Sequence, residues 1–277
     1  MDPRFGPEGV DLERPNAARI YDWALGGTAN WAVDREFGEH LVKAFPLIRA
    51  LARANRAFLG RAVRHCVENG VTQFLDLGSG VPTVGNVHEI AGEVDGDSRC
   101  VYVDNEPVAV AHARILLEKS GDPARHAVLG GDLRDADDIW EGAFDTGVLD
   151  PAKPVALLTV AVLHFVPEPE LATVIARYRR LLPAGSFYVL SHVTMSGVEG
   201  AELEQIQRVV RQYEQSSTPA SFRDKEEILG FFGDFELVAP GLVPVGAWRL
   251  DDPRSPALDC AIGGVARKPG SGRGVTE

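Results

Sequence analysis

Gln73-Phe74-Leu75-Asp76-Leu77-Gly78-Ser79-Gly80 is the stretch on which the reading of this chain turns: an apolar strand that carries an acid near its end and then opens into a glycine loop. Gly78 and Gly80 have no Cβ and tolerate positive φ, so the backbone here can lie directly against a ligand. A dinucleotide fingerprint would place a third glycine three positions after the second, where the loop turns onto a helix that receives a pyrophosphate. Thr83 stands there instead, behind Pro82. A carboxylate at Asp76 would repel a pyrophosphate and attract a positively charged ligand.

Outward from this loop the pattern alternates strand, loop and helix, as a parallel sheet with crossover helices requires. Strands are expected at 71–77, 99–103, 126–129, 154–161 and 186–190. Helices are expected at 85–92, 107–119, 135–140 and 168–181. A polar helix at 199–215 reads as an insertion placed to wall a substrate pocket. Ser221-Phe222-Arg223-Asp224 fits a capping box that opens a further helix ending at Gly233. Strands at 235–238 and 258–267 follow, the last returning antiparallel. Before the loop, three amphipathic helices are expected: one capped by Asn16 and ended by Gly26-Gly27, one capped by Asn30, and one from Pro46 to Asn69-Gly70. The chain therefore divides into an N-terminal helical arm or lid (1–70), an α/β domain (71–267) and a disordered tail (268–277).

Phe74-Leu75-Asp76-Leu77-Gly78-Ser79-Gly80 resembles the first motif of class I S-adenosylmethionine-dependent methyltransferases. That cofactor carries an ammonium and a sulfonium, in keeping with the sign of Asp76. Asp104, at the end of Cys100-Val101-Tyr102-Val103, stands where the family places the acid that holds the ribose hydroxyls, with Asn105 beside it. Gly131-Asp132-Leu133 resembles the station at the adenine. Arg14-Pro15-Asn16-Ala17-Ala18-Arg19-Ile20-Tyr21-Asp22, with Leu25-Gly26-Gly27 and Asn30, resembles an actinobacterial S-adenosyl methyltransferase family first catalogued as a domain of unknown function. Val162-Leu163-His164-Phe165 and Pro240-Gly241-Leu242-Val243 are similar to its later landmarks. The resemblance spans roughly residues 10 to 267. It implies a Rossmann-like sheet of seven strands, mostly parallel with the last antiparallel, S-adenosyl-L-methionine as cofactor, and methyl transfer to an acceptor that it does not name.

The candidate cofactor residues are accordingly Asp76, Gly78, Ser79, Gly80, Asp104, Asn105, Asp132 and Leu133, joined by Tyr21 and Gly27 if the first helix closes over the cofactor. His164 ends the fourth expected strand, at the sheet edge where open α/β folds bind ligands. It is a cofactor-site candidate and the one candidate general base for an oxygen or nitrogen acceptor. A nicotinamide oxidoreductase would share the Asp104 geometry, and a non-catalytic cofactor binder would share the whole site. Asp76 and the missing third glycine argue against the first.

The chain has 277 residues, 45% of them hydrophobic, and Lys+Arg 28 against Asp+Glu 40 leaves a formal charge of −12. That balance disfavours nucleic acid and anionic membranes as partners and leaves a small molecule as the expected acceptor. Cys66, Cys100 and Cys260 lie far apart in apolar surroundings, which suggests core thiols of a cytoplasmic protein. No histidine pair has ligand spacing, so no metal is expected. Arg49, Arg53, Arg56 and Arg64 on the third helix read as a solvated face.

Overall fold

The structure is a computed structural model and describes residues 9–83, 85–214, 216–250 and 258–270. Five parallel strands, β1 (Gln73–Leu77), β2 (Arg99–Asp104), β3 (His126–Gly130), β4 (Ala156–Val160) and β5 (Phe187–Val193), form the body of one sheet. The antiparallel β8 (Ala261–Arg267) pairs with β5, and β6 (Glu236–Leu237) pairs with β8, giving the order β3-β2-β1-β4-β5-β8-β6. An eighth strand, β7 (Val243–Pro244), pairs with β8 off this path and was not expected. Two residues are too few to show an alternating pattern. The ladder puts β1 between β2 and β4, so the strand order reverses there and the loops after β1, β2 and β4 open onto one edge.

Strand alternation decides what each face meets. Leu75 and Leu77 of β1, with Val101 and Val103 of β2, pack against α6 (Ala136–Asp145) and α7 (Glu170–Leu181). Phe74, Cys100 and Tyr102 point the other way and pack against α3 (Ile48–Glu68) and α4 (Val87–Val94). Each such fully buried apolar side chain contributes about 1.5–3 kcal/mol. Asp76 shares the parity of Phe74, so it is carried to the α3 face of the sheet and is buried there. On the far side of β2, α5 (Pro107–Ser120) begins with proline in its first turn, where a missing N–H costs nothing.

Helix α1 (Ala17–Leu25) starts and stops as expected: the Asn16 side chain accepts the Ala18 N–H at 2.9 Å, and Gly26 caps the end at φ +88°. Helix α2 (Ala32–Ala44) does not use Asn30 as its cap. The Asp34 carboxylate accepts the Trp31 N–H at 2.9 Å, while buried Asn30 donates to Asp22 at 2.8 Å and to the Gly27 carbonyl at 3.0 Å. Likewise α9 (Lys225–Gly230) starts three residues later than expected. Asp224 is its cap and accepts the Glu227 N–H at 2.8 Å, while Glu227 reaches back to the Asp224 N–H at 3.0 Å, a reciprocal pair that Ser221 does not make. Helices α1, α2 and α8 (Gly200–Tyr213) share an apolar cluster through Ile20, Leu41 and Ile206. Of the tail, only residues 268–270 are described; 271–277 lie outside the described residues.

Candidate functional site

At the end of β1 the chain folds back onto β2: Gly78 and Ser79 both donate to the Val103 carbonyl, at 2.9 and 3.1 Å. Gly78 and Gly80 sit at φ +66° and +67°, and a Cβ on Gly78 would lie 2.2 Å from Val162 Cγ2. Only glycine meets both demands at position 78. The Asp104 carboxylate, buried at the end of β2, ties the loop down by accepting the Gly80 N–H at 2.7 Å and the Glu106 N–H at 2.8 Å. Each of its oxygens keeps a second lone pair. Burial raises the Asp104 pKa, opposed by those backbone donors. Burial raises Asp76 further, to about 7, with Arg56 pulling the other way.

These groups border a cavity of about 430 Å³ that runs along the strand ends. Tyr21, Asp76, Gly78, Ser79, Gly80, Asp104, Asn105, Asp132, Leu133 and His164 all line it. Gly27 does not. Its bare Cα makes room for the Asp22 carboxylate, which a Cβ there would approach to 1.9 Å. Asp132 is held by Arg134 at 2.7 Å, and that pairing keeps its pKa low; Asn105 reaches it at 3.4 Å. The far end of the cavity is apolar, walled by Ile20 and Phe45 from the arm and by Ile206, Val209 and Tyr213 from α8.

After β4, Ala161 adopts φ +57°, a conformation uncommon for a residue with a side chain. It is held there by donation from its N–H to Ser191 Oγ at 3.0 Å. This bend sends the chain into a short 3-10 turn, Leu163–Phe165, that aims His164 at the cavity. Ser191 in turn donates to Asn55 Oδ1 at 2.6 Å, Asn55 donates to the Tyr21 hydroxyl at 3.1 Å, and Tyr21 donates to the Ala52 carbonyl at 3.0 Å. One polar chain therefore links β5, α3 and α1 along the cavity wall, and burial raises the Tyr21 pKa, so it stays a neutral hydroxyl.

His164 is buried, and its Nδ1 has no hydrogen-bond partner among the described residues. Its ring lies 5.3 Å from that of His192. His192 Nδ1 faces the Val193 carbonyl at 2.6 Å and Nε2 faces the Arg223 guanidinium at 3.1 Å. A carbonyl only accepts and a guanidinium only donates, so the proton of His192 is on Nδ1 and the ring is neutral. Burial, then His192 and Arg223, push the His164 pKa well below its ordinary value. An imidazolium is disfavoured there, so the ring is held in its neutral form.

Sequence reasoning missed several residues of the site. Asn55 and Ser191 carry no motif. Arg56, expected to be solvated, lines the cavity, and Arg49 stacks over Trp23 at 4.0 Å; Arg53 and Arg64 are exposed. The signal for Arg56 was present in the helical spacing of Ala52, Asn55, Arg56 and Leu59, all of which line the cavity. Arg19 was seen only as part of a motif, with no role assigned, and it is buried. It pairs with Asp34 at 3.0 Å and Glu106 at 3.5 Å, pinning the arm to the segment that follows Asp104.

A reversed parallel sheet with an acid-flanked glycine loop at its switch point defines the S-adenosylmethionine-dependent methyltransferase class. The S-adenosyl methyltransferase family matches residues 4–269, and the chain belongs to it. No curated protein matches the chain. Among solved structures it is similar to a candidate methyltransferase from Thermobifida fusca YX, with 36% identity over 96% of this chain and 99% of that one, at a TM-score of 0.87. It is also similar to a DUF574 family protein from Streptomyces avermitilis MA-4680, with 35% identity, 94% and 99% coverage and a TM-score of 0.85. An O-methyltransferase family protein from Burkholderia thailandensis, 15% identical over 81% of this chain and 61% of its own, shares the fold at a TM-score of 0.53.

Proposed function

We propose that this methyltransferase methylates a small, largely apolar acceptor at an oxygen or nitrogen, in the half of the cavity bounded by α1 and α8. The observation that carries the reading is one continuous cavity with an acid-lined, glycine-floored end and an apolar end. At about 430 Å³ it lies low in the ~300–1,000 Å³ range of ligand sites, so once the cofactor is seated the acceptor must be small. The residues present fit S-adenosyl-L-methionine. Asp104 has lone pairs left for ribose hydroxyls, Asp132, Leu133 and Asn105 border the adenine position, and Ser79 and Gly80 offer backbone free of bulky side chains.

When bound, the cofactor supplies a methyl group made electrophilic by its sulfonium. The chain's own work is alignment and exclusion of water, which carry much of such a displacement. In this reading the arm, through its cavity-lining residues between Asn16 and Leu59, covers the site. Tyr21, locked by Asn55, sets the cavity wall, and His164 as a neutral imidazole accepts a hydrogen bond from the acceptor's O–H or N–H and orients its lone pair. The test is a screen of small aromatic and aliphatic hydroxyl and amine compounds, reading S-adenosylhomocysteine. Turnover confined to bulky or polyanionic acceptors refutes the acceptor class.

A further inference from the structure

Two polar groups in the apolar part of the cavity have no partner among the described residues. One is the His164 imidazole, 6% exposed, whose Nδ1 stands alone. The other is the Tyr213 hydroxyl. The remaining tyrosines all engage theirs inside the protein: Tyr21 donates to the Ala52 carbonyl, Tyr178 donates to the Leu133 carbonyl at 2.9 Å, Tyr102 meets His88 at 2.7 Å and Tyr188 accepts from Thr159 at 3.2 Å. Tyr213 makes no hydrogen bond among the described residues, and burial raises its pKa, so it stands there as a neutral hydroxyl. Ser217 and Thr218, which line the cavity just past α8, are already engaged, by the Pro15 carbonyl and the Ala17 N–H. Ile206 and Val209 beside them are aliphatic and offer no partner.

Packing fixes where the two groups stand. Tyr213 ends α8, and its ring meets Phe37 of α2 edge-on at 5.4 Å and Phe165 at 5.9 Å. The His164 ring lies 4.2 Å from the same Phe165. All three of His164, Phe165 and Tyr213 line the cavity, so its wall runs from an imidazole over a phenyl ring to a phenol. A buried donor or acceptor left unmet is costly, and a ligand that meets it recovers that cost. We propose that the acceptor is a single aromatic ring bearing two oxygen substituents, one held by His164 and the other by the Tyr213 hydroxyl, with the ring packed on Phe165. The inference rests on the small-acceptor reading above, narrows it to hydroxylated aromatics with a second ring oxygen, and makes Tyr213 the residue that selects them. An aromatic ring suits the wall because ring pairs gain from offset or edge-to-face contact beyond the area they bury, which a saturated ring forgoes. A phenol hydroxyl both donates and accepts, so it can meet a hydroxyl or a carbonyl as the second oxygen.

The experiment measures kcat/KM of the full chain, as wild type and Tyr213→Phe, with S-adenosylmethionine and phenol, catechol, resorcinol, hydroquinone or cyclohexane-1,2-diol, reading S-adenosylhomocysteine. The three isomers set the second oxygen at three distances from the first. The wild type is expected to prefer at least one of them over phenol by about 5–50-fold, the scale of one hydrogen bond to a group otherwise left unmet, and to prefer catechol over the saturated diol. Tyr213→Phe lowers the preferred isomer's advantage over phenol at least fivefold and keeps the preference for the aromatic ring. Phenylalanine retains the ring that packs on Phe37 and Phe165, each ratio is read on one preparation, and the intrinsic reactivity of the compounds cancels between the two proteins. An undiminished ratio in Tyr213→Phe overturns the proposal, as does wild-type turnover of phenol equal to that of every isomer; both leave the small-acceptor reading standing. Turnover of small aliphatic compounds but of none of these rings overturns the aromatic class, whereas turnover of no small hydroxyl or amine compound at all overturns the acceptor reading itself.

Discussion

Replacing Asp76 by asparagine should make the ligand-free protein more stable, and by an amount that depends on pH. Asp76 has almost no exposed surface and no hydrogen-bond donor, and burial raises its pKa from an ordinary value of 3.8 to about 7. A group whose folded pKa is raised contributes stability that is present below its unfolded pKa and lost as pH rises through the folded one. Between those values the native state holds a proton that the unfolded chain has released, so stability falls with pH. At ~1.4 kcal/mol per pH unit, the full loss above pH 7 is on the order of 4 kcal/mol. Asparagine keeps the shape without the charge. The gap between Asp76→Asn and wild type should therefore widen by roughly 3 kcal/mol from pH 5 to pH 8 and then level off. For a chain of this size that is on the order of 6–12 °C in melting temperature. Paired urea titrations of the two proteins across that pH range measure it, and titrating groups that do not interact with Asp76 cancel in the difference. The same substitution should weaken S-adenosylmethionine binding, a case of stability given up for function. Parallel stability–pH curves for the two proteins would refute the reasoning, because they would mean that Asp76 is hydrated or paired when the site is empty.

Asp104→Ala removes the acceptor of the Gly80 N–H along with the ribose partner, and calorimetry should show S-adenosylmethionine affinity reduced by about 1–3 kcal/mol. Gly78→Ala combines a positive φ with a collision against Val162, so it should cost about 2–4 kcal/mol in stability by denaturant titration; adding Val162→Ala should recover part of that loss, the strained φ remaining. For His164→Ala, single-turnover rates should fall about 10–100-fold with cofactor affinity within about threefold, and the wild-type rate should show no imidazole titration between pH 6 and 8, because His164 is neutral throughout that range. A rise in wild-type rate through pH 6.5 that His164→Ala abolishes would restore the general-base role.

What could be read from the sequence was what local chemistry decides. The glycine loop, the acids at the strand ends and the caps at Asn16 and Asn69-Gly70 depend on positive φ, strand parity and side chains reaching their own backbone, all encoded within a few residues. The sheet body was legible because hydrophobic runs of strand length alternate with helical spacing, whereas α8 read as a polar helix and its burial of Ile206 and Val209 comes from packing against α1 and α2. Asn30 and Ser221 were misread as caps because buried Asn30 is drawn instead to Asp22 and the Gly27 carbonyl, and the reciprocal Asp224–Glu227 pair starts α9 three residues later. Gly27 looked like a cofactor contact because a glycine pair suggests close approach; the approach is by Asp22, brought there by the turn after α1. His164 could be placed at a strand end, but its charge could not. Arg223 and His192, distant in the chain, are brought against it by packing alone. Arg56 shows the division most clearly. Helical periodicity states that Ala52, Asn55, Arg56 and Leu59 share a face, and a charge in such a stripe usually faces water. Only the docking of α3 on the β1 face, where Asp76 emerges, turns that face into the wall of a binding site, because burial and partner choice belong to contacts between segments that no single segment specifies.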